Sequence, residues 1–442
     1  MTSSSFNPRI LLLAYQCGPG MGSVSQIGWE WYRRLSERVR VTLVTHVRNR
    51  AALERAGSPM CNSEVIFVDT EWFAGPLYRL ATRLFPRAEH AAFMLSALDF
   101  FVFDHVALRM LREHIADGER WDLLHAVTPV TTLAASRLHR LGLPLIKGPL
   151  NCGVASPHGF RAILRDEYSW IFPLRNLGRL IDACLGSTRN SAIILTATRA
   201  TMDRVPRRYR SRCIQMLENG VDLNVFTPAV WPASPSRSEP LRVLFVGRLM
   251  PFKAVGLLLR AVARVVAEFP IELSVIGDGP MSAVWRAETQ QLGLTNEVSF
   301  LGALSLDQVA AAMRAVHVFC LPSVRESGGA VLLEAMACAR PVLAVAFGGP
   351  AEIVDDAVGR AIPPDGVEQT IAALAEALRD IVRNPESWRR RGKNAYRRAC
   401  ELYGWPAKID RALELYGVLL NEDPESPTIA KVSVRPETEL AG

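Results

Sequence analysis

The chain has 442 residues, 49% hydrophobic and 21% charged, enough apolar material for two cores, which excludes wholesale disorder. Its 30 Gly and 28 Pro follow no period, which removes collagen-like and coiled-coil architectures. The net charge of +7 is uneven, with 29 Lys and Arg against 20 Asp and Glu in residues 1–240 and 22 against 24 in residues 241–442.

Residues 10–15 (ILLLAY) predict a first buried strand, followed by a glycine-rich loop, a helix over 26–37 and a strand over 41–45. Strand, Gly-rich turn, helix, strand is the opening of a parallel α/β sheet. Short apolar runs predict further strands at 64–68, 122–126, 144–148, 192–196 and 213–217. Runs without clean alternation suit strands covered on both faces. Residues 227–240 (TPAVWPASPSRSEP) have no period and predict a linker. A second series of strands follows at 241–247, 271–277, 297–302, 316–322 and 341–346, each leading into a helical segment. The expected fold class is therefore α/β, with two Rossmann-like parallel-sheet domains, residues 1–226 and 241–400, facing a central cleft. Residues 421–442 are rich in Pro, Glu, Ser and Thr and are expected to form a disordered tail.

The eight Cys never come closer than 18 positions, so no C-x-x-C unit suggests a metal cage or a redox pair. Reduced cytosolic thiols are expected. The amino-terminal apolar run is too short for a secretory signal, and the longest apolar stretch, 91–103, is shorter than the roughly 20 residues of a spanning helix. A cytoplasmic protein is expected. The basic first half suits an anionic polymer, a phosphorylated small molecule or an anionic membrane surface. Nucleic acid is not expected, since no zinc-finger spacing, RNA-recognition signature or dense basic run occurs.

The most informative segment is LPSVRESGGAVLLEAMACARPV, residues 321–342. Gly328 and Gly329 open a helix, so the N–H groups of Gly328, Gly329 and Ala330 lack helical acceptors, an end that favours a diphosphate. Glu326 lies just ahead of this helix and Glu334 inside it. A carboxylate accepts paired hydroxyl hydrogen bonds, so each suits a polyol; equally, one is a helix-start charge and the other a solvated helix residue. VGRLMPFK, 246–253, places Arg248 and Lys253 in the turn after the second domain's first strand, as phosphate ligands or as an ordinary basic loop. Gly277-Asp278-Gly279-Pro280 forms a turn after the next strand, a weak dinucleotide signal because Pro280 breaks the usual pattern. No D-x-D occurs, so no metal ion is expected and the cations and helix end supply the charge. In the first half, the glycine loop around Gly22 lets backbone approach a ligand, and His125 is either a satisfied strand-end histidine or faces the cleft.

Together these segments, with NGVD (219–222), FLG (300–302), GGPAEIV (348–354) and the sparser 20–45 and 146–160, resemble the retaining glycosyltransferases of family 4, which have the GT-B fold. The resemblance implies a nucleoside-diphosphate-sugar donor as substrate and no cofactor. It implies that Arg248 and Lys253 bind the diphosphate, and that Glu326 holds donor-sugar hydroxyls with Gly328, Gly329 and Ala330. It implies that Glu334 holds the ribose, Gly277, Asp278 and Gly279 line the donor site, and Gly22 approaches the phosphates. It also implies that a last helix, about 405–420, returns to the first domain. His125 and Asn151 are the acceptor-side candidates. Three departures stand out: Ser327 where an aromatic is usual together with Ala339 where Gly is usual, GPLNCG (148–153) without the His that many members carry, and Val24 and Gln26 where related sequences often carry Glu and Gly.

The expected reaction is sugar transfer with retained configuration to a glycan or lipid-linked glycan acceptor in envelope or exported polysaccharide synthesis. The segments 72–87 and 91–103 suggest an amphipathic surface for anionic lipid on the inner face of the cytoplasmic membrane; helices packed in the core are the alternative. A sugar-nucleotide epimerase and a non-catalytic nucleotide-sugar binding module share the same donor site and remain competing classes.

Overall fold

The computed structural model describes residues 7–57, 63–84, 98–132, 134–152, 157, 159–160, 163 and 175–421. The expectation for 421–442 falls outside them from residue 422, as do 85–97 of the two amphipathic segments.

The described residues form two parallel sheets, one in each of two compact units. The first has seven strands in the order β3-β2-β1-β4-β5-β6-β7. These are β1 (Arg9–Ala14), β2 (Arg40–His46), β3 (Glu64–Val68), β4 (Leu123–Thr128), β5 (Leu145–Leu150), β6 (Ile193–Thr196) and β7 (Cys213–Gln215). The second has six, in the order β10-β9-β8-β11-β12-β13. They are β8 (Leu241–Val246), β9 (Ile271–Ile276), β10 (Val298–Gly302), β11 (Val318–Leu321), β12 (Val342–Val345) and β13 (Gly359–Ile362). The double burial inferred for the apolar runs is real: Ile10, Leu11 and Leu12 of β1 are fully buried, with Ile10 paired to Val41 on one side and Leu123 on the other.

Helices connect successive strands because parallel neighbours cannot be joined by a tight turn. Ser23–Ser36 follows β1 and buries Trp31, Tyr32 and Leu35. Val255–Val265 follows β8 and buries Leu257, Leu258 and Val262. In each sheet the winding direction reverses, between β1 and β4 in the first and between β8 and β11 in the second. Such a reversal opens a crevice at the carboxyl ends of the strands.

One unit comprises Met1–Gly153, Tyr168–Glu218 and Ile409–Gly442, the other Val154–Glu167 and Asn219–Lys408. The stretch 227–240, expected as a free linker, packs within the second unit. Trp231 is buried and its indole N–H donates to the His317 carbonyl at 2.8 Å. The guanidinium of the buried Arg340 donates to the carbonyls of Ala229 and Val230, both at 2.9 Å. The composition read as a linker because Pro and Ser obscure the one aromatic side chain that anchors it. No helix of the described residues is long and apolar enough to cross a membrane.

Candidate functional site

The second unit's reversal point carries most of the sequence-predicted residues. After β8, Gly247 leads to the exposed Arg248 and the buried Leu249. Leu249 ties this turn to the one after β9: its N–H donates to the Asp278 carbonyl at 2.8 Å, and its carbonyl accepts from the Met281 N–H at 3.0 Å. The turns pack backbone on backbone. A Cβ on Gly277 would stand 2.0 Å from the Gly247 carbonyl oxygen, so only glycine fits there. The exposed Asp278 turns its own carboxylate back onto the Gly279 N–H at 2.7 Å.

After β11, the buried Val324 donates its N–H to the Phe252 carbonyl at 2.9 Å, which holds the two strand-end loops side by side. Across that junction Lys253 Nζ donates to Glu326 Oε2, a pair whose side chains are only 14% and 13% exposed. Lys253 Nζ also lies 5.6 Å from the centre of the Phe252 ring, and Arg325 Cζ lies 5.2 Å from the same ring. The Glu326 carbonyl accepts from the Gly349 N–H at 3.1 Å, joining the loop after β12 to the cluster.

Gly329, at φ 56°, starts the helix Ala330–Ala337 without any side-chain cap. An L side chain is strained at that angle, which is why the sequence places Gly there. No side chain caps the N–H groups of the first turn, and the positive end of the helix lies behind them. Glu334 sits on this helix, partly covered, and burial pushes its carboxyl up to about 7. It is not the solvated helix residue that was one of the two readings. Arg248, Lys253, Glu326, Gly277, Asp278, Gly279, Gly328, Gly329, Ala330 and Glu334 therefore all lie at one strand-end region of a single unit. Among the described residues no group of three or more His, Cys, Asp or Glu is placed to hold a metal ion.

In the first unit, Gly22 is the exposed residue before the helix Ser23–Ser36, at φ 104°. His125 is a correction. It is fully buried in β4, with Nδ1 2.6 Å from the Tyr416 hydroxyl and Nε2 2.8 Å from the Gly148 carbonyl oxygen. Trp31 packs edge-on against its ring, and desolvation pushes its pKa down to about 4. Both nitrogens are occupied inside the core, so His125 offers nothing to an acceptor. Asn151 follows β5 and donates through Nδ2 to Glu218 Oε1. Sequence reading passed over Glu218, because a carboxylate two positions before Gly220 carries no sign of its burial. Of the departures, Ala339 adopts φ 59° at the end of the helix Ala330–Ala337, the angle at which glycine is unstrained.

Two Rossmann-like sheets, one carrying paired cations, paired carboxylates and an uncapped helix end at its reversal point, define a protein of the GT-B fold. Residues 231–398 match the family model described as Glycosyl transferases group 1. The D-inositol 3-phosphate glycosyltransferase of Kribbella flavida is 34% identical over 218 residues, 46% of this chain and 50% of that protein. The protein of the same name from Streptomyces coelicolor is 36% identical over 189 residues, 40% of each chain. The chain spans about half the length of the curated relatives it matches. Among solved structures, Anabaena HepE in complex with UDP aligns over 92% of this chain and 99% of its own at 17% identity, with a TM-score of 0.60. A glycosyltransferase from Rickettsia africae aligns over 95% and 100% at 12% identity, with a TM-score of 0.62. These structures share the fold.

Proposed function

We propose that the protein transfers a sugar from a nucleoside diphosphate to an acceptor hydroxyl with the anomeric configuration kept. The observation that carries this reading is the Lys253–Glu326 pair beside the uncapped helix Ala330–Ala337. Lys253 and Arg248 take the diphosphate, the helix end adds its N–H groups, and the two carboxylates accept hydroxyl hydrogen bonds from the sugar and the ribose. The acceptor oxygen attacks the anomeric carbon as the bond to the diphosphate breaks, and the departing diphosphate oxygen takes the acceptor's proton. Charge developing on that oxygen is where a fixed cation matters most. The family match over 231–398 and the UDP named in the HepE structure support a nucleotide donor.

Glycosyltransferase relatives support a polyol acceptor, and their printed name makes inositol 3-phosphate the first to try beside lipid-linked glycans. The helix Glu71–Leu84 leaves Trp72, Tyr78 and Leu80 exposed at 69%, 60% and 51%, alongside the exposed Arg79 and Arg83. That face suits an anionic lipid surface and an acceptor in envelope or exported polysaccharide synthesis. Flotation with phosphatidylglycerol vesicles, reduced by Trp72→Ser, is the expected result.

The test of the central reading is a thermal-shift panel of UDP, GDP, ADP and their sugars, followed by nucleotide release with each acceptor. One nucleotide should stabilise the protein, and its sugar should be turned over with retention in the presence of EDTA. Absence of any nucleotide affinity overturns the reading. Conversion of the donor alone into its epimer would favour the epimerase class.

A further inference from the structure

The excess positive charge of the first half has a definite place in the first unit. Residues 189–212 hold seven Arg against one Asp and no Glu, a net +6 out of the +9 carried by residues 1–240. Parallel register sets Ile146 of β5 beside Ile193 of β6, and Ile194 beside Cys213 of β7, so the amino ends of these three strands form one rim. The basic residues sit where the chain enters that rim. Arg140 lies in the short helical turn Leu138–Leu141 before β5, Arg189 precedes β6, and the short helix Arg207–Arg212 runs directly into β7. The Arg212 guanidinium donates to the carbonyls of Arg189 and Ser191 at 2.9 and 3.0 Å, which fastens the entry to β6 onto the entry to β7. Burial lowers the pKa of His139, and the charges of Arg140 and Arg189 lower it further against the opposing Asp104, so both guanidiniums stand near one imidazole.

Arg140, Arg189, Arg207 and Arg208 are exposed, and no carboxylate of the described residues pairs with any of them. The single acid of the segment, Asp203, is engaged by Arg210 at 3.0 Å. Such a cluster attracts anions, and guanidinium forks suit phosphate oxygens. Its place limits what the anion can be. Ligands of open α/β sheets bind at the carboxyl ends of the strands, and this rim is the opposite end, so the cluster lies away from where a substrate enters the first unit. The Tyr209 ring already has the guanidiniums of Arg208 and Arg212 at 4.8 and 5.7 Å from its centre, so it is no bare platform for a stacked base or sugar ring. Among the described residues, no exposed large apolar side chain occurs between 186 and 212 to insert into a bilayer. These features suit an array of phosphates presented by a surface. We propose that the amino-terminal rim of β5, β6 and β7 is a docking face for an anionic phospholipid surface, held through charge by Arg140, Arg189, Arg207 and Arg208. It is a separate contact from the helix Glu71–Leu84, which follows β3 at the other edge of the same sheet. That helix offers apolar side chains, whereas the rim responds only to lipid charge.

The test is flotation of the full chain with vesicles of phosphatidylcholine alone or with about one third phosphatidylglycerol, at about 0.1 M and about 0.5 M salt. Each cation near an anionic surface contributes about fivefold in binding. Arg207→Glu with Arg208→Glu, and Arg140→Glu with Arg189→Glu, should therefore each weaken association with the anionic vesicles tenfold or more. Arg207→Lys with Arg208→Lys should keep most of it, and high salt should release the wild type as charge reversal does. All four side chains are exposed, so melting temperature and UDP, GDP and ADP affinities should match wild type in every variant, which separates loss of docking from loss of fold. Trp72→Ser should leave the salt-sensitive part of the association in place. Equal flotation of wild type and both reversal pairs overturns the proposal, as does flotation that salt does not change or no association of wild type with anionic vesicles. Binding of single-stranded DNA or heparin without any binding of vesicles, lost in the same variants, would assign the rim to a dissolved polyanion and likewise overturn it. Flotation lost in Trp72→Ser but kept in both reversal pairs would leave Glu71–Leu84 as the lipid contact and remove the rim; the opposite pattern would keep the rim and remove the helix.

Discussion

Glu334 offers a perturbation whose effects on stability and on binding have opposite signs. Its carboxyl is raised from an ordinary 4.5 to about 7 by burial. Between those values the folded chain holds a proton that the unfolded chain has lost, so stability falls as pH rises through this window and stays low above it. At about 1.4 kcal/mol per pH unit the full penalty is ~3 kcal/mol, and partial solvent access at Glu334 reduces it to roughly 1–2 kcal/mol. Glu334→Gln removes the charge but keeps the shape. The variant should therefore match wild type in urea resistance at pH 5 and exceed it at pH 8.5 by that amount. Nucleotide binding should behave in the opposite way. A carboxylate accepts two ribose hydroxyls where an amide offers one oxygen, so at pH 8.5 the variant should lose about tenfold in affinity, at roughly 1.4 kcal/mol for a charge-assisted bond. At pH 5 the difference should shrink, because wild-type Glu334 is then itself neutral. Urea midpoints and nucleotide titrations at the two pH values check both halves. Equal stability at pH 8.5, or a binding loss that does not change with pH, would refute the reasoning.

Lys253→Ala should cut transfer by about 10²–10³, the loss of one well-placed charge-stabilising donor, while circular dichroism stays that of wild type; steady-state turnover at wild-type rate would remove Lys253 from the site. His125→Ala should destabilise the first unit by about 2–4 kcal/mol, since it opens a cavity beside Trp31 and leaves the Tyr416 hydroxyl unmet, with nucleotide affinity unchanged in a direct titration. Ala339→Gly should raise stability by about 0.5–1 kcal/mol in denaturant melts, because glycine carries no strain at φ 59°.

The central strands were legible because they are short apolar runs covered on both faces, as in RILLLA; β13, GRAI, was not expected as a strand, because an edge segment with Gly and Arg carries no apolar run. The helix start at Gly329 was legible for a similar reason, since the angle there requires the residue. Features that depend on distant partners were not. Lys253 and Glu326 could each be placed at the site, but their mutual pairing spans 73 residues and appears only in three dimensions. His125 read as ambiguous because its partner, Tyr416, lies 291 residues away. Trp231 looked like part of a free linker because the carbonyl that receives its N–H, at His317, is likewise remote.

The Lys253–Glu326 bridge has a bearing on selectivity at rest. A bare ammonium in a glycine-lined loop would gather whatever small anion is abundant, and a bare carboxylate would gather cations. Joined to each other, the two groups screen themselves. A stray phosphate that displaces the carboxylate leaves it stranded, and a stray sugar leaves the ammonium stranded. On the proposed transferase reading, a molecule that brings a pyrophosphate and a ring of hydroxyls together gives both halves a new partner, so the intact nucleotide-sugar should hold more tightly than the nucleotide alone.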